Sequence, residues 1–320
     1  MSLKEKIENY PVSFFALMLG IVGFTLVIQK MTDPEVLGLS KEIFSVALTL
    51  SVILSFFTVL MYIIKLLLYP GKVAEDYNSP VRINFYPVLA KVLLIYSVIY
   101  FPLNQSVSKT LWIAGAIVQF VASIIIIPRW LFHKFDIKQI NPSWFIPIVG
   151  NVMVPIVGVN HFDPDISIFF FGSGLMWWTI LFVTVIYRII FHHPVAEKFM
   201  PTFFILFAPP AIAFISSVKI LGDVTLFGKI LYFISVFMFI LIISRLKEFG
   251  KIKFYMSWWA YSFPVVALNV ATILMYHKTH KIFYRYFALG LGGFLLLIIT
   301  YLLYRTFKAI SKNEVCVAEH

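Results

Sequence analysis

Ten apolar windows of about 20 residues, each long enough to cross a hydrocarbon core ~30 Å thick, constrain this chain more than any other feature. They run approximately over Pro11–Gln29, Glu42–Tyr69, Phe85–Leu103, Val107–Phe132, Ser143–Asn160, Ile166–Phe191, Pro201–Leu221, Thr225–Leu246, Tyr255–Tyr276 and Ile282–Phe307. The breaks between them, such as YPGKVAEDYNSPVRIN and KEFGKIKF, are short and polar. None leaves room for a separate soluble domain, so residues 1–320 read as a single transmembrane domain with short tails at about 1–10 and 309–320. Barrel strands would instead be ~10 residues of alternating polarity, a pattern the chain lacks. The expected fold is an all-α integral membrane protein of ten transmembrane helices.

Composition agrees. Of the 320 residues, 61% are hydrophobic and 13% are charged, against ~25% charged in an ordinary soluble domain. So much apolar surface needs lipid as its solvent. The formal net charge of +11 raises nucleic acid as a partner. The basic residues fall in short clusters between apolar runs, however, as they do in membrane loops; lipid is the expected partner and nucleic acid is not. The lone cysteine, Cys316, excludes a disulfide framework and a cysteine metal site. Met1–Asn9 is charged and leads into a span with no small-residue cleavage site, so no cleavable signal is expected.

The spans alternate in kind. Pro87 lies in the third, Pro147 and Pro155 in the fifth, Pro209 and Pro210 in the seventh, and Pro264 in the ninth. The first begins at Pro11 and contains Gly20 and Gly23. Even-numbered spans are longer and nearly free of proline, Pro128 being the exception. The pattern is five helical hairpins, each a broken helix followed by a straight one. Backbone groups freed by proline find no partner in lipid and must face protein or a water-filled cavity. The odd spans are therefore expected to form an inner ring of kinked helices around a pore, with the even spans outside. Gly20, Pro87, Pro147, Asn151, Pro155, Pro209, Pro264 and Asn269 are the candidate pore-lining or kink positions.

In the ninth span, WWAYSFPVVALNVATI sets Phe263 beside Pro264 near the middle. A proline inside a helix costs ~3 kcal/mol and kinks it. Such a bend can carry the Phe263 ring into the axial path, or the ring can simply pack between helices. Orientation follows from the basic residues. Lys and Arg number 17 at the termini and the ends of helices on that side, and 8 on the opposite side. The positive-inside rule then places both termini in the cytoplasm.

The chemistry within the spans is sparse. Every Asp and Glu lies in a loop, a tail or, for Glu42, at a span boundary, and all seven histidines are terminal to spans or in loops. Proton-coupled transporters usually need a titratable carboxylate or histidine within the membrane. A membrane protease or metalloenzyme needs a nucleophile–base pair or a ligand cluster such as H-E-x-x-H. Neither is present, so no enzyme activity and no cofactor or metal is expected. HFDPD (His161, Asp163, Asp165) reads as a turn in which Asp165 caps the sixth helix. Lys91 is the one charge well inside a span; it either faces an aqueous path and attracts anions or snorkels to the headgroups. A kinked-helix pore with basic mouths and no acids favours anions. Because kinks expose carbonyls, donors must come from helix N-termini, Asn151, Asn269, hydroxyls and the basic entrances.

YNSPVRINF (Tyr77–Phe85), NPSWFIP (Asn141–Pro147) with Asn151, FFFGSGLMWW (Phe169–Trp178), LFAPPAIAF (Leu206–Phe214) and WWAYSFPVVALNVATI occur in this order over most of the chain. The set resembles the family of the bacterial tellurite-resistance protein TehA and the plant slow-type anion channels, which also includes fungal malate transporters. The resemblance implies a homotrimer in the bacterial inner membrane, with five hairpins around a pore in each protomer. It also implies an occluding phenylalanine in the ninth helix, a position that Phe263 matches. The expected function is an anion channel for chloride, nitrate or similar small inorganic anions. The alternatives are a carrier for dicarboxylates or other organic anions and an oxyanion (tellurite) efflux protein.

Overall fold

Lipid cannot accept a backbone hydrogen bond, so each span must satisfy its own peptide groups or borrow partners from neighbouring helices. The computed structural model describes residues 2–316, and of Leu3 the backbone alone. Among the described residues ten helices are long and apolar enough to cross a membrane: Phe14–Met31, Lys41–Leu68, Arg82–Tyr100, Gln105–Phe132, Pro142–His161, Pro164–Phe191, Glu197–Leu221, Leu226–Ile243, Met256–Thr279 and Ile282–Ser311. Within its most apolar window each odd span buries 72–83% of its residues, whereas each even span buries 17–33%. The first span packs on the third, the third on the fifth, the fifth on the seventh, the seventh on the ninth, and the ninth on the first. The odd spans thus close into an inner ring. Each even span lies outside against its hairpin partner, and the fourth, sixth, eighth and tenth also lean on the next odd span around the ring.

The even spans carry their polar residues inward. In the second, Phe44, Ser51, Ser55, Thr58, Tyr62 and Lys65 form the buried stripe, advancing by three, four or seven residues as one helix face does. Ser108, Trp112, Gly115, Gln119, Ser123 and Ile126 repeat that spacing in the fourth. Small and hydroxylic residues let helices approach closely and bond across the seam where hydrophobicity provides no drive. Ser55 Oγ meets Tyr96 Oη at 2.9 Å, and Ser108 Oγ donates to the Ser97 carbonyl at 2.7 Å.

The prolines act differently from the expected interior kinks. The third, fifth, seventh and ninth spans each begin as a tight 3₁₀ stretch, Arg82–Phe85, Pro142–Phe145, Glu197–Phe207 and Met256–Tyr261, then continue as α-helix. Pro87 immediately precedes the α segment Val88–Tyr100. Pro147 lies in the first two positions of Ile146–Met153, and Pro209 and Pro210 lie in the first turn of Ala208–Leu221. Pro155 starts a second segment, Pro155–His161, after a break at Val154. Pro264 falls in the first turn of Ser262–Thr279. A first-turn residue has no α-helical acceptor for its N–H, so proline removes nothing there. The prolines mark where one helix type yields to the other, and the ~3 kcal/mol interior cost does not arise.

On the side of the termini, an ion cluster holds the start of the third span. Lys65 Nζ donates to Asp76 Oδ2 at 2.7 Å and to the Tyr10 carbonyl at 2.9 Å. Arg82 Nη1 donates to Asp76 Oδ1 at 2.9 Å, and the Tyr62 hydroxyl donates to Oδ2 at 3.1 Å. Asp76 belongs to the short helix Pro70–Asn78 between the second and third spans. At the opposite side, Asp163 rather than Asp165 caps the sixth span, its carboxylate accepting from the Asp165 N–H at 2.9 Å. The cap residue must lie outside the helix, and Pro164 occupies its first position. His161 Nε2 is 2.9 Å from Ser108 Oγ, and among the described residues no His, Cys, Asp or Glu group is arranged to hold a metal.

Two stability outcomes follow from these positions. Pro264→Ala should shift unfolding of the detergent-solubilised protein by less than ~1 kcal/mol; a gain approaching ~3 kcal/mol would restore the interior-kink account. Asp76→Asn leaves Lys65 buried without its counter-charge and should cost ~3–5 kcal/mol, read as a lower thermal midpoint.

Candidate functional site

Breaking four helices at one level leaves a space that side chains only partly fill. An axial cavity of about 40 Å³ lies at the 3₁₀-to-α junctions, lined from the five odd spans by residues including Leu19, Phe85, Lys91, Val149, Ala208 and Phe263. Pro264, Trp259 and the hydroxyl-bearing Thr202 and Ser257 complete much of the wall. Phe263 is half-buried and is among the residues lining this cavity. The cavity is large enough to hold water, which needs only about 10–15 Å³ of such space.

Lys91 is 1% exposed, and so does not snorkel. Its Nζ donates to the Pro87 carbonyl at 3.2 Å, and among the described residues no carboxylate lies within ion-pair distance of it. The other polar groups of the wall are already engaged. Thr202 Oγ1 donates to the Phe199 carbonyl and Ser257 Oγ to the Lys198 carbonyl, both at 2.6 Å. Helix N-termini, expected as a source of donors, each have one junction N–H already engaged. Hydrogen bonding continues from 3₁₀ into α through the N–H groups of Tyr86, Ile146, Ala208 and Ser262, bonded to Ile83, Ser143, Ile205 and Trp259. Lys91 is the one basic side chain among the residues lining the cavity.

Asn151 and Asn269 lie away from the cavity wall. Asn151 Oδ1 accepts from Gln119 Nε2 at 2.9 Å and from Ser123 Oγ at 3.2 Å, tying the fifth span to the fourth. Asn269 Nδ2 donates to the Ala288 carbonyl of the tenth span at 2.7 Å. Both amides bridge inner and outer helices because a buried amide without partners is costly. Gly20 lies where the first span crosses the ninth: a Cβ there would collide with Ser262 Oγ and come within 2.9 Å of the Trp259 ring. Pro87, Pro147, Pro155 and Pro209 shape the junctions without lining the cavity.

The carbonyls near the breaks in the fifth and seventh spans are occupied from the outside or by a ring neighbour. Gln119 Nε2 donates to Pro147 O at 2.6 Å, Trp112 Nε1 to Val154 O at 2.8 Å and Ser235 Oγ to Phe207 O at 2.7 Å. Ser216 Oγ closes on Val152 O. These donors hold carbonyl oxygens, which would repel an anion, away from the axis.

Sequence reading missed Phe85, Thr202 and Ser257 in the wall. Phe85 sits six residues before Lys91 in YNSPVRINF, so its place in a motif was visible while its 3₁₀ geometry was not. The inward stripes of the even spans were legible at helical spacing, and Gln119 and Trp112 could have been found there as donors.

A profile described as "SLAC1: Voltage-dependent anion channel" matches residues 9–307. The S-type anion channel SLAH2 of Arabidopsis thaliana is 27% identical over 83% of this chain and 52% of its own length. The guard cell S-type anion channel SLAC1 of the same plant is 25% identical over 83% of this chain and 49% of its own length. The chain thus spans about half the length of these plant relatives. Uncharacterized transporter MJ0762 of Methanocaldococcus jannaschii is 28% identical over 86% of this chain and 87% of its own length. With ten membrane-spanning helices in five hairpins and a family match along nearly its whole length, this multi-pass membrane protein belongs to the SLAC1 anion channel family.

Proposed function

We propose that the protein is an anion-selective channel passing chloride, nitrate or similar small monovalent anions down their gradient, through a path within each protomer that Phe263 occludes. The observation that carries this reading is the axial cavity, whose lining residues include one buried basic side chain, Lys91, the aromatic residues Phe85, Trp259 and Phe263, and no carboxylate. The cavity, about 40 Å³ in volume, suits a small anion that has shed part of its water. No bond is made or broken in this function; the anion exchanges water for the Lys91 ammonium and passes an apolar constriction that excludes it by bulk and by dewetting.

The ten spans act in this reading as one channel domain of a homotrimer, set in the bacterial inner membrane with both termini cytoplasmic. The excess of Lys and Arg on the side of the termini supports that orientation. A second reading is a slow carrier for dicarboxylates or an oxyanion such as tellurite; it draws on the archaeal relative named a transporter. Flux into liposomes from purified protein separates them. Unitary currents with reversal potentials that follow the chloride gradient support the channel, whereas saturable malate exchange without current supports the carrier. Reversal potentials that follow potassium would refute both.

Phe263→Ala removes the ring without altering charge, so anion current should rise by orders of magnitude, each ~1.4 kcal/mol of lost barrier being tenfold in rate. Phe263→Leu should raise it less. Phe169 and Phe237, 58% and 60% exposed on outer helices, serve as alanine controls that leave the current unchanged. Wild-type current from folded Phe263→Ala would assign the ring to packing alone. Lys91→Met keeps the volume and deletes the charge. It should lower the anion-to-cation permeability ratio measured from reversal potentials, and raise the thermal midpoint because a buried unpaired charge is removed. An unchanged ratio would remove Lys91 from selectivity.

A further inference from the structure

The cavity lies toward the termini, and the inner helices continue beyond it to the opposite membrane face. Residues eleven apart on an α-helix are three turns on and within about 20° of the same face. Lys30 stands eleven residues after Leu19 on the unbroken helix Phe14–Met31, and Lys219 eleven after Ala208 on Ala208–Leu221. Leu19 and Ala208 both line the cavity. The two lysines therefore continue the axial faces of the first and seventh spans, about 16 Å beyond the cavity wall at 1.5 Å per residue.

Lys219 is within electrostatic reach of Lys30 and of Lys278, at the end of the ninth span. Three inner helices thus bring cations to one mouth. Among the described residues, neither Lys30 nor Lys219 has an ion-pair partner. The carboxylate that acts on Lys30 is Asp33, which is also engaged by His277 at 3.5 Å, while Glu35 lies 3.8 Å from the same imidazole. Lys278 Nζ is tied to the Gly222 carbonyl at 2.6 Å. A single lysine at a helix C-terminus needs only the helix dipole as its reason. Two that repel one another on the axial faces of a ring are stabilised when an anion lies between them.

We propose that Lys30 and Lys219 form an anion-capture site at the mouth opposite the termini, where a hydrated small inorganic anion is held before it moves along the axis to the cavity at Lys91 and Phe263. The site rests on the anion-path reading for its purpose. Capture concentrates the anion at the mouth and speeds its entry at low salt, and it weakens as ionic strength rises.

Planar-bilayer recordings with sodium chloride test this, each face being diluted in turn. Lys30→Gln and Lys219→Gln should each lower conductance by roughly three-fold to ten-fold when the chloride-poor solution bathes the mouth opposite the termini. The difference should vanish near 1 M salt, where charges are screened within ~3 Å. Lys229→Gln removes a lysine from the same side but from the outer face of the eighth span and should change nothing. Unchanged conductance in the first two variants, or an equal loss in Lys229→Gln, overturns the site. A second measurement needs no current. In Lys219→Cys, a sulfonate-bearing methanethiosulfonate should react faster than a trimethylammonium-bearing one, and adding Lys30→Gln should erase that preference. The native Cys316 lies near the termini, and burial pushes its thiol up to about 11, so it remains protonated and reacts slowly. An absent preference overturns the site, whereas a clear preference in a protein that passes no anion upholds it and overturns the channel reading.

Discussion

The structure depends on where the carbonyl oxygens of broken helices go. In lipid an unpaired backbone carbonyl costs several kcal/mol, and the fifth and seventh spans are interrupted within the membrane. Gln119, Trp112, Ser235 and Ser216 supply donors to four carbonyls near those breaks. Three of the four donors come from the outer wall, which is why that wall turns its serines, glutamine and tryptophan inward and its leucines and phenylalanines to lipid. The inner ring tolerates its breaks because the outer ring completes its hydrogen bonding.

That arrangement governs electrostatics on the axis. A pore of exposed carbonyls favours cations; here the oxygens near the breaks point into protein seams. In each of four spans one junction N–H is taken up by a 3₁₀ hydrogen bond that runs on into α-helix. Among the residues lining the cavity, Lys91 is the one basic side chain, and in the proposed anion path it is the group that would set the sign. Among the described residues no carboxylate lies within ion-pair distance of Lys91, a relation between helices that no local motif encodes.

The hairpins, the inner and outer assignment and the family were legible because each is written in periodicity or in residue order. Proline alternation separated buried from lipid-facing spans correctly, yet for a different physical reason than an interior kink. Pro87, Pro147, Pro209 and Pro264 lie where 3₁₀ gives way to α, and hydropathy does not distinguish those two helices. Asn151 and Asn269 looked like pore donors because polar residues inside a span often face water. Their amides instead join inner to outer helices, a distinction that depends on azimuth about the helix axis. Phe85, Thr202 and Ser257 escaped notice because they belong to 3₁₀ stretches, whose three-residue turn shifts the face that α-helical spacing assigns.

The same azimuth links distant levels of the ring. Once the α segments are regular, a face defined at the cavity persists for three turns with little drift, so Leu19 fixes the direction of Lys30 and Ala208 that of Lys219. Below the junctions the 3₁₀ winding breaks that continuity, and the Asp76 cluster with Lys65 and Arg82 takes over the positioning. It anchors the third span three residues before Phe85 enters the cavity wall. The ring is therefore held by an ion cluster where its helices are irregular and by helical periodicity where they are regular, with Phe263 and Lys91 at the boundary between the two.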